Sequence, residues 1–291
     1  DVAEQLEHKL TLPGSNRKIN SPEGFVSNFT ERAAGHPELK VTDVLGYYVA
    51  SDLPFFKYLA ENYAYCEKFF CSHPGPTLPN RMFSLTGDLQ YDRMGEALLN
   101  NNNRSNFYLS RTSTIYDLLS KKGVSWRVYE SSPSVTMLRM FARYATDNTN
   151  IVKIDRLQQD VNDYNLPALT IVEPAMHHYP ENDDHSPDAD MYNGQLFLKG
   201  VYDTLRSNDA LWRKTMLIIT YDEHGGFYDH VIPPIADVRI RENVISQAIE
   251  PGSQPDASSP ASHFTPDSVR TDYGVRVPTF VVSPWTKAGK G

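Results

Sequence analysis

The chain has 291 residues, 40% of them hydrophobic and 22% charged, with a formal net charge of −8. That composition excludes a disordered or fibrous chain and leaves room for one large α/β domain or two smaller ones. The acidic balance argues against a nucleic-acid binder, which would show a basic face, and no apolar run is long enough to span a membrane.

The chain opens DVAEQLEHKL, without an initiator Met and without a visible signal peptide, which reads as a processed product or a fragment. Two triplets, Asn28-Phe29-Thr30 and Asn103-Arg104-Ser105, match the N-x-S/T sequon, a pattern that chance produces often. Cys66 and Cys71 are too few for a disulfide scaffold and wrongly spaced for a zinc knuckle. They could bridge if the segment bends, or stay as two buried thiols. Next comes SHPGPTLPNR (72–81), where three prolines and a glycine fix the backbone around Thr77, with Asn80 and Arg81 close behind. A rigidly presented hydroxyl beside a metal can act as a nucleophile, although a threonine in such a loop is more often a turn residue.

TSTIYDLLSKKG (112–123) has a Thr/Ser start and a Gly stop and is expected as a helix. SWRVYE (125–130), ALTIVEP (168–174), MLIITYD (216–222) and PTFVVSPW (278–285) are short, β-rich and bounded by turn residues, as buried strands are. DMYNGQLFLKGVYDTLRSN (190–208) shows helical apolar spacing, weakened by Gly194 and Gly200. Strand, helix and strand in succession predict an α/β fold with a mostly parallel sheet and helices on both faces. The Pro-, Ser- and Asp-rich segment 251–268 is expected as a surface loop or flap.

Ligands of such folds bind beyond the carboxyl ends of the strands. Two polar clusters sit there. HHYPENDDHSPDAD (177–190) follows one expected strand, and its acidic neighbours favour a protonated His185, suited to clamping an anion or protonating a leaving group. A solvent-facing polar loop is the plainer reading of that stretch alone. TYDEHGGFYDHV (220–231) follows the strand MLIIT. Adjacent Asp222 and Glu223 repel each other unless a cation lies near, and their oxygens suit a hard divalent ion such as Mg, Ca or Mn. His224 and His230 could add ligands or donate to an anionic substrate. No G-x-S-x-G, H-E-x-x-H, G-x-x-x-x-G-K-[ST] or G-x-G-x-x-G stretch is present.

Taken together, GPTLPNR (75–81), the NDDHSPDAD block with its following helix, TYDEHGGFYDHV, and RVPTFVVSPW (276–285) resemble the phosphoesterase family of non-specific phospholipases C and related acid phosphatases. The resemblance covers nearly the whole chain and is strongest over 182–234. It implies an alkaline-phosphatase-like three-layer α/β/α sandwich. It also implies Thr77 as nucleophile, Asp222 and Glu223 as a divalent-metal pair, and His185 as the histidine contacting the phosphoryl group, with Ser186 before the proline as a small departure. Asn80, His224 and His230 lie inside matched motifs and are expected to face substrate. The family's upstream "ENRSFDH"-like motif, whose Glu and Asn complete the metal site, has no match, and Glu61-Asn62 is the nearest candidate. One phosphoesterase domain lacking both ends is therefore expected.

The reaction expected is metal-assisted hydrolysis of a phosphoric ester through a phospho-threonine, with a phospholipid giving diacylglycerol and a phosphorylated head group. A phosphomonoesterase of acid-phosphatase type is the alternative, and a non-catalytic binding protein on a decayed scaffold is the alternative of another class. The absence of C-x-P-x-R or S-x-P-x-R weighs against a sulfatase. The expected partners are a phosphate-ester substrate and, peripherally, a lipid surface, in a secreted or envelope setting. Nothing in the sequence fixes an oligomeric state.

Overall fold

A computed structural model describes residues 2–37, 39–90, 98–101, 112–131, 136–176, 181–185, 190–235 and 272–290. The segment 251–268, expected as a loop or flap, lies outside the described residues, as do 177–180 and 186–189 of the acidic block. In chain order the elements are α1 (Val2–Gln5), β1 (Lys9–Thr11), β2 (Lys18–Asn20), α2 (Pro22–Arg32), α3 (Pro54–Asn62), β3 (Ala64–Cys66), α4 (Thr77–Thr86), α5 (Ile115–Lys121), β4 (Trp126–Glu130), β5 (Ile151–Lys153), α6 (Arg156–Asn162), β6 (Leu169–Glu173), α7 (Met191–Arg206), α8 (Asp209–Trp212), β7 (Leu217–Thr220), β8 (Thr279–Val282) and β9 (Gly289–Lys290). They gather into two compact units, the first from Asp1–Gly46, Phe70–Ser110 and Asp222–Val277, the second from Tyr47–Phe69, Arg111–Tyr221 and Pro278–Gly291.

The second unit carries the α/β architecture. Its parallel sheet has the order β5-β4-β6, with Val128 opposite Ile151 and Trp126 opposite Leu169. Strands β4 and β6 are the runs expected at 125–130 and 168–174. Behind β4, Arg127 and Tyr129 both reach the buried Asp160 of α6, the Tyr129 hydroxyl donating at 2.6 Å. A second sheet has the order β7-β8-β3-β9 and is mixed. Here β7 runs antiparallel to β8, Leu217 facing Val282, while β3 pairs antiparallel with β8 and parallel with β9. Antiparallel strands need no crossover helix between them. Strands β3 and β9 are only three and two residues long, too short to leave a periodic trace in the sequence.

The core of this unit joins Phe55, Leu59, Tyr129, Val161, Tyr202, Trp212, Ile219 and Val282. Each large side chain so buried contributes roughly 1.5–3 kcal/mol of transfer free energy. Helix α5 begins on a reciprocal cap, Thr114 Oγ1 accepting from Asp117 N and Asp117 Oδ2 accepting from Thr114 N. Helix α7 begins at Asp190, whose carboxylate accepts from Tyr192 N at 2.9 Å.

The first unit is built on α1, the β1–β2 hairpin and α2. Ser21 caps α2 by accepting from Glu23 N, and Pro22 occupies the first turn, where its missing N–H costs nothing. Leu6, Phe25, Val44 and Val275 form its apolar centre, with Tyr228 packed against them.

Candidate active site

The first unit holds Thr77, Asn80, Asp222, Glu223, His224 and His230, while His185 belongs to the second. Thr77 is the first residue of α4, reached through Pro74, Gly75 and Pro76. Buried Asn80, on the next turn, donates through Nδ2 to the carbonyls of His73 (3.0 Å), Gly75 (3.0 Å) and Pro76 (3.1 Å) and accepts from His73 N at 2.9 Å. Its side chain thus ties the whole entry loop to the helix that carries Thr77. The loop is also closely packed. A Cβ on Gly75 would lie 2.7 Å from His73 Nε2, so that position accepts no side chain.

Cys71, at the start of this loop, bonds to the 274–275 segment through Cys71 N to Val275 O and Gly274 N to Cys71 O. Its thiol is free, as is that of Cys66. Burial first, and then the charges of Glu223 and Asp222, push the Cys71 thiol up to about 12, so it is an inert neighbour of those carboxylates rather than a nucleophile.

The 222–231 turn follows from its own sequence. Asp222 Oδ1 accepts from Glu223 N at 2.9 Å, and Glu223 Oε2 accepts from Gly225 N at 2.7 Å. Gly225 and Gly226 have φ of 66° and 84°, two consecutive left-handed residues that only glycines adopt without strain. Beyond them Tyr228 lies edge-on to Phe25 and its hydroxyl donates to Asn20 O at 2.8 Å. Asp229 receives a two-pronged grip from Arg276, both bonds at 2.7 Å. Fully buried Asn20 donates to the carbonyls of Asp229 and Val231 at 2.8 Å each. Tyr228 and Asp229 therefore hold the turn in place. His230, whose side chain is 51% exposed, stands 3.6 Å from Asp229.

A cavity of about 560 Å³ opens among Gln5, Asn28, Arg32, His73, Pro76, Glu223 and His224, with Gly75 and Gly226 also in its wall. It brings the loop ending at Thr77 and the Glu223–His224 turn to one place, although Thr77, Asp222, Asn80 and His230 do not themselves line it. Burial, and next the charge of Asp222, push the Glu223 carboxyl up to about 7. Burial likewise pushes His224 down to about 4, so it is neutral there. Its Nε2 lies 3.0 Å from Gln5 Oε1 and its Nδ1 3.5 Å from Glu223 Oε2.

A half-buried carboxyl beside a second carboxyl favours its neutral form unless positive charge lies near. Asp222 and Glu223 thus fit a hard divalent cation as two oxygen donors. Among the described residues, no group of three or more His, Cys, Asp or Glu side chains is assembled to hold an ion. Glu61 and Asn62, the nearest sequence candidates for further ligands, lie at the end of α3 in the second unit. There Glu61 pairs with Lys57 at 3.7 Å, and Asn62 donates to Tyr58 O at 2.8 Å.

In the second unit the acidic block is anchored by Asp184, at φ 57°, which accepts from the half-buried Tyr221 hydroxyl at 2.6 Å. Burial pushes Asp184 up to about 6, and its second oxygen has no hydrogen-bond partner among the described residues.

Sequence reasoning passed over Gln5, Asn20 and Arg276, which carry no local pattern, and saw in Asn28 no structural role. It also weighed Asn28 as a sequon. Asn28 is 5% exposed and donates through Nδ2 to Glu4 Oε2 at 2.9 Å, so a glycan has no access to that nitrogen in the fold. Asn103 lies outside the described residues.

The family model described as phosphoesterase family matches residues 15–291. Non-specific phospholipase C6 of Arabidopsis thaliana is 32% identical over 267 residues, which cover 90% of this chain and 46% of the relative. Non-hemolytic phospholipase C of Burkholderia pseudomallei (strain K96243) is 31% identical over 288 residues, 86% of this chain and 39% of the relative. The chain thus spans less than half of either relative's own length. Among solved structures, a protein in the alkaline phosphatase superfamily from Vibrio parahaemolyticus is 12% identical with a TM-score of 0.43, over 82% of this chain and 56% of that one. By its match from residue 15 to residue 291, the chain belongs to the phosphoesterase family.

Proposed function

We propose that the chain carries the nucleophile and part of the metal site of a phosphoric ester hydrolase of phospholipase C type. The observation that supports this most is the shared cavity of the Thr77 entry loop and the Glu223–His224 turn, with Glu223 half-buried beside a second carboxylate. Asp222 and Glu223 would hold a divalent cation, which supplies positive charge to the phosphate ester and to the attacking oxygen when bound.

Thr77 Oγ1 attacks phosphorus in line, and the bond to the alcohol oxygen breaks as the phospho-threonine forms. The alcohol leaves with a proton, and water then displaces Thr77 and releases the phosphorylated product. Position supports Thr77 in this role. As the first residue of α4 it sits at the positive end of the helix dipole, which favours an added anion there. Asn80 keeps the entry loop in one shape, so little ordering is left for the moment of attack. The family motif assigns His185 the phosphoryl contact, where it would offset developing charge or protonate the alcohol. By the same resemblance the substrate is a phospholipid, met at a lipid surface by a secreted or envelope protein.

The test is product analysis on phosphatidylcholine with added Mg, Ca or Mn, for this chain and for the chain extended to the length of its relatives. Release of phosphocholine that vanishes in Thr77→Ala, with trapped label on the threonine of the active form, supports the reading. Release that survives Thr77→Ala removes the nucleophile assignment. Hydrolysis of a phosphomonoester but of no diester would move the protein to the acid phosphatases. Inactivity of both lengths on either substrate would leave the binding-protein alternative standing.

A further inference from the structure

Arg32 lies in the wall of the cavity of about 560 Å³ and is exposed, so it stands where that cavity opens to water. It is the last residue of α2, a place where a cation suits the helix end. Yet its side chain serves none of the last carbonyls: Ala33 N takes those of Phe29 and Glu31, and the guanidinium makes no hydrogen bond or ion pair among the described residues. The carboxylate that feels its charge is Glu4, and that one is held by Asn28 Nδ2 at 2.9 Å. The planar fork of N–H donors on Arg32 is therefore free for a ligand. Among the described residues it is the one guanidinium or ammonium in the wall, and none of those lining residues is Phe, Tyr or Trp. A quaternary ammonium would meet no aromatic face there. Gln5 and Asn28 add amide nitrogens that donate once each, to Asn28 Oδ1 and Glu4 Oε2, and so keep a hydrogen uncommitted.

We propose that Arg32 determines specificity: the cavity takes a phosphate ester whose alcohol carries a second acid group, a carboxylate or a further phosphate, and Arg32 grips that group. The inference rests on the phosphoesterase reading of the same site and names the substrate class within it. Glu223 and Arg32 share the wall with opposite charge, which sorts the two ends of such a ligand. The phosphate under attack goes to the cation that Asp222 and Glu223 would hold, and the second acid group, repelled by the carboxylates, goes to the guanidinium. Carboxylate and phosphate both match the fork of an arginine two bonds at a time. Because Arg32 is exposed, water and salt weaken the pair, and the gain is modest.

O-phosphoserine and phosphoethanolamine differ by a single carboxylate. The experiment compares their affinities by calorimetry with Mg present, for this chain and for the chain extended to the length of its relatives, in wild type, Arg32→Gln and Arg32→Lys. Phosphoserine should bind wild type about fivefold more tightly, the upper end for an exposed pair, and the ratio should shrink as salt is raised. Arg32→Gln should bring the ratio to about one, and Arg32→Lys, which keeps the charge without the fork, should leave it in between. In the active form, faster hydrolysis of short-chain phosphatidylserine than of phosphatidylethanolamine would identify a lipid as the source of the acid group. The same preference confined to the free monoesters would identify a soluble ester, and either supports the proposal. Equal affinities in wild type, or a preference that survives Arg32→Gln, overturn it. If phosphoethanolamine is bound and its esters are hydrolysed while the ratio stays at one, the specificity inference falls and the phosphoesterase reading stands. If neither compound binds and no ester is hydrolysed by either length, the phosphoesterase reading falls and takes this inference with it.

Discussion

Replacing Gly194 by Ala should cost stability, against the usual sign for a glycine inside a helix. Gly194 lies in the first turn of α7, and an exposed Gly→Ala change in a helix interior gains about 1 kcal/mol. Here the added Cβ would fall within 2.7 Å of all three carboxyl atoms of Asp184. Asp184 has little room to yield, because it sits at φ 57° and its other oxygen holds the Tyr221 hydroxyl. Overpacking costs about 1–3 kcal/mol, and losing a hydrogen bond to a charged or partly charged group about 1.5–3 kcal/mol. If the side chain swings away, the second cost replaces much of the first, so a net loss of about 1–3 kcal/mol is expected after the helix gain. Gly200, one and a half turns later, meets nothing within 4 Å, and Gly200→Ala should gain about 0.5–1 kcal/mol. Urea unfolding of the two variants should therefore give midpoints displaced in opposite directions. In an Asp184→Gly background the collision is gone, and Gly194→Ala should turn stabilising. Equal gains at Gly194 and Gly200, or an equal loss at Gly194 in both backgrounds, would refute the steric account of the Asp184 anchor.

Three other outcomes follow from the first unit. Asn80→Asp sets a carboxylate oxygen against the carbonyls of His73, Gly75 and Pro76 and should lower stability by about 3 kcal/mol, more than Asn80→Ala; equal losses in thermal unfolding would mean the amide nitrogen does not hold the loop. Cys71, pushed up to about 12, should carry thiolate on the order of once in ten thousand molecules at pH 8, so a thiol reagent should reach it only in denaturant, and a native thiol count lowered by Cys71→Ala would contradict that. Glu223 holds a proton in the fold up to about 7 against 4.5 in the unfolded chain, so its charging lowers stability as pH rises from about 4.5 to 7, by up to ~3 kcal/mol. His224 works the other way, its folded value of about 4 against 6.5 meaning that stability is lost as pH falls from 6.5 to 4. The two slopes oppose each other in the overlap, and Glu223→Gln should expose the His224 slope alone. It should also abolish any rise in Tm caused by Mg or Mn at pH 8, and a rise that persists in Glu223→Gln would place the cation elsewhere.

Those parts of the fold that announce themselves in sequence do so because their pattern is local. Strands β4, β6, β7 and β8 are apolar runs between turn residues, and α5 and α7 start on Thr114 and Asp190, side chains whose capping bonds reach only two or three residues ahead. The Gly225–Gly226 pair marks its turn for the same reason, since left-handed backbone is a property of single positions. Strands β3 and β9 have too few residues to alternate visibly. The antiparallel pairing of β8 with β7 joins residues some sixty positions apart, which no window of ten residues contains.

The site divides along the same line. The charged residues Asp222, Glu223 and His224 are consecutive and legible, but the groups that hold them are mostly neutral amides. Gln5, Asn20, Asn28 and Asn80 are each 5% exposed or less; the first three bridge groups from separate parts of the first unit, and Asn80 ties its own entry loop. An amide suits that task because it donates and accepts at once, and burying it without net charge costs far less than burying a carboxylate or an ammonium. A buried charge beside Glu223 would shift its proton or compete for its cation, whereas an amide fixes geometry and leaves the charge of the site to the residues that use it. Motif searches weigh charged and nucleophilic residues, so they find the reacting groups and pass over the ones that aim them. Asn28 shows the cost most clearly: read as a triplet it suggests a glycan on the surface, while in the fold its nitrogen donates to Glu4 and its oxygen accepts from Gln5.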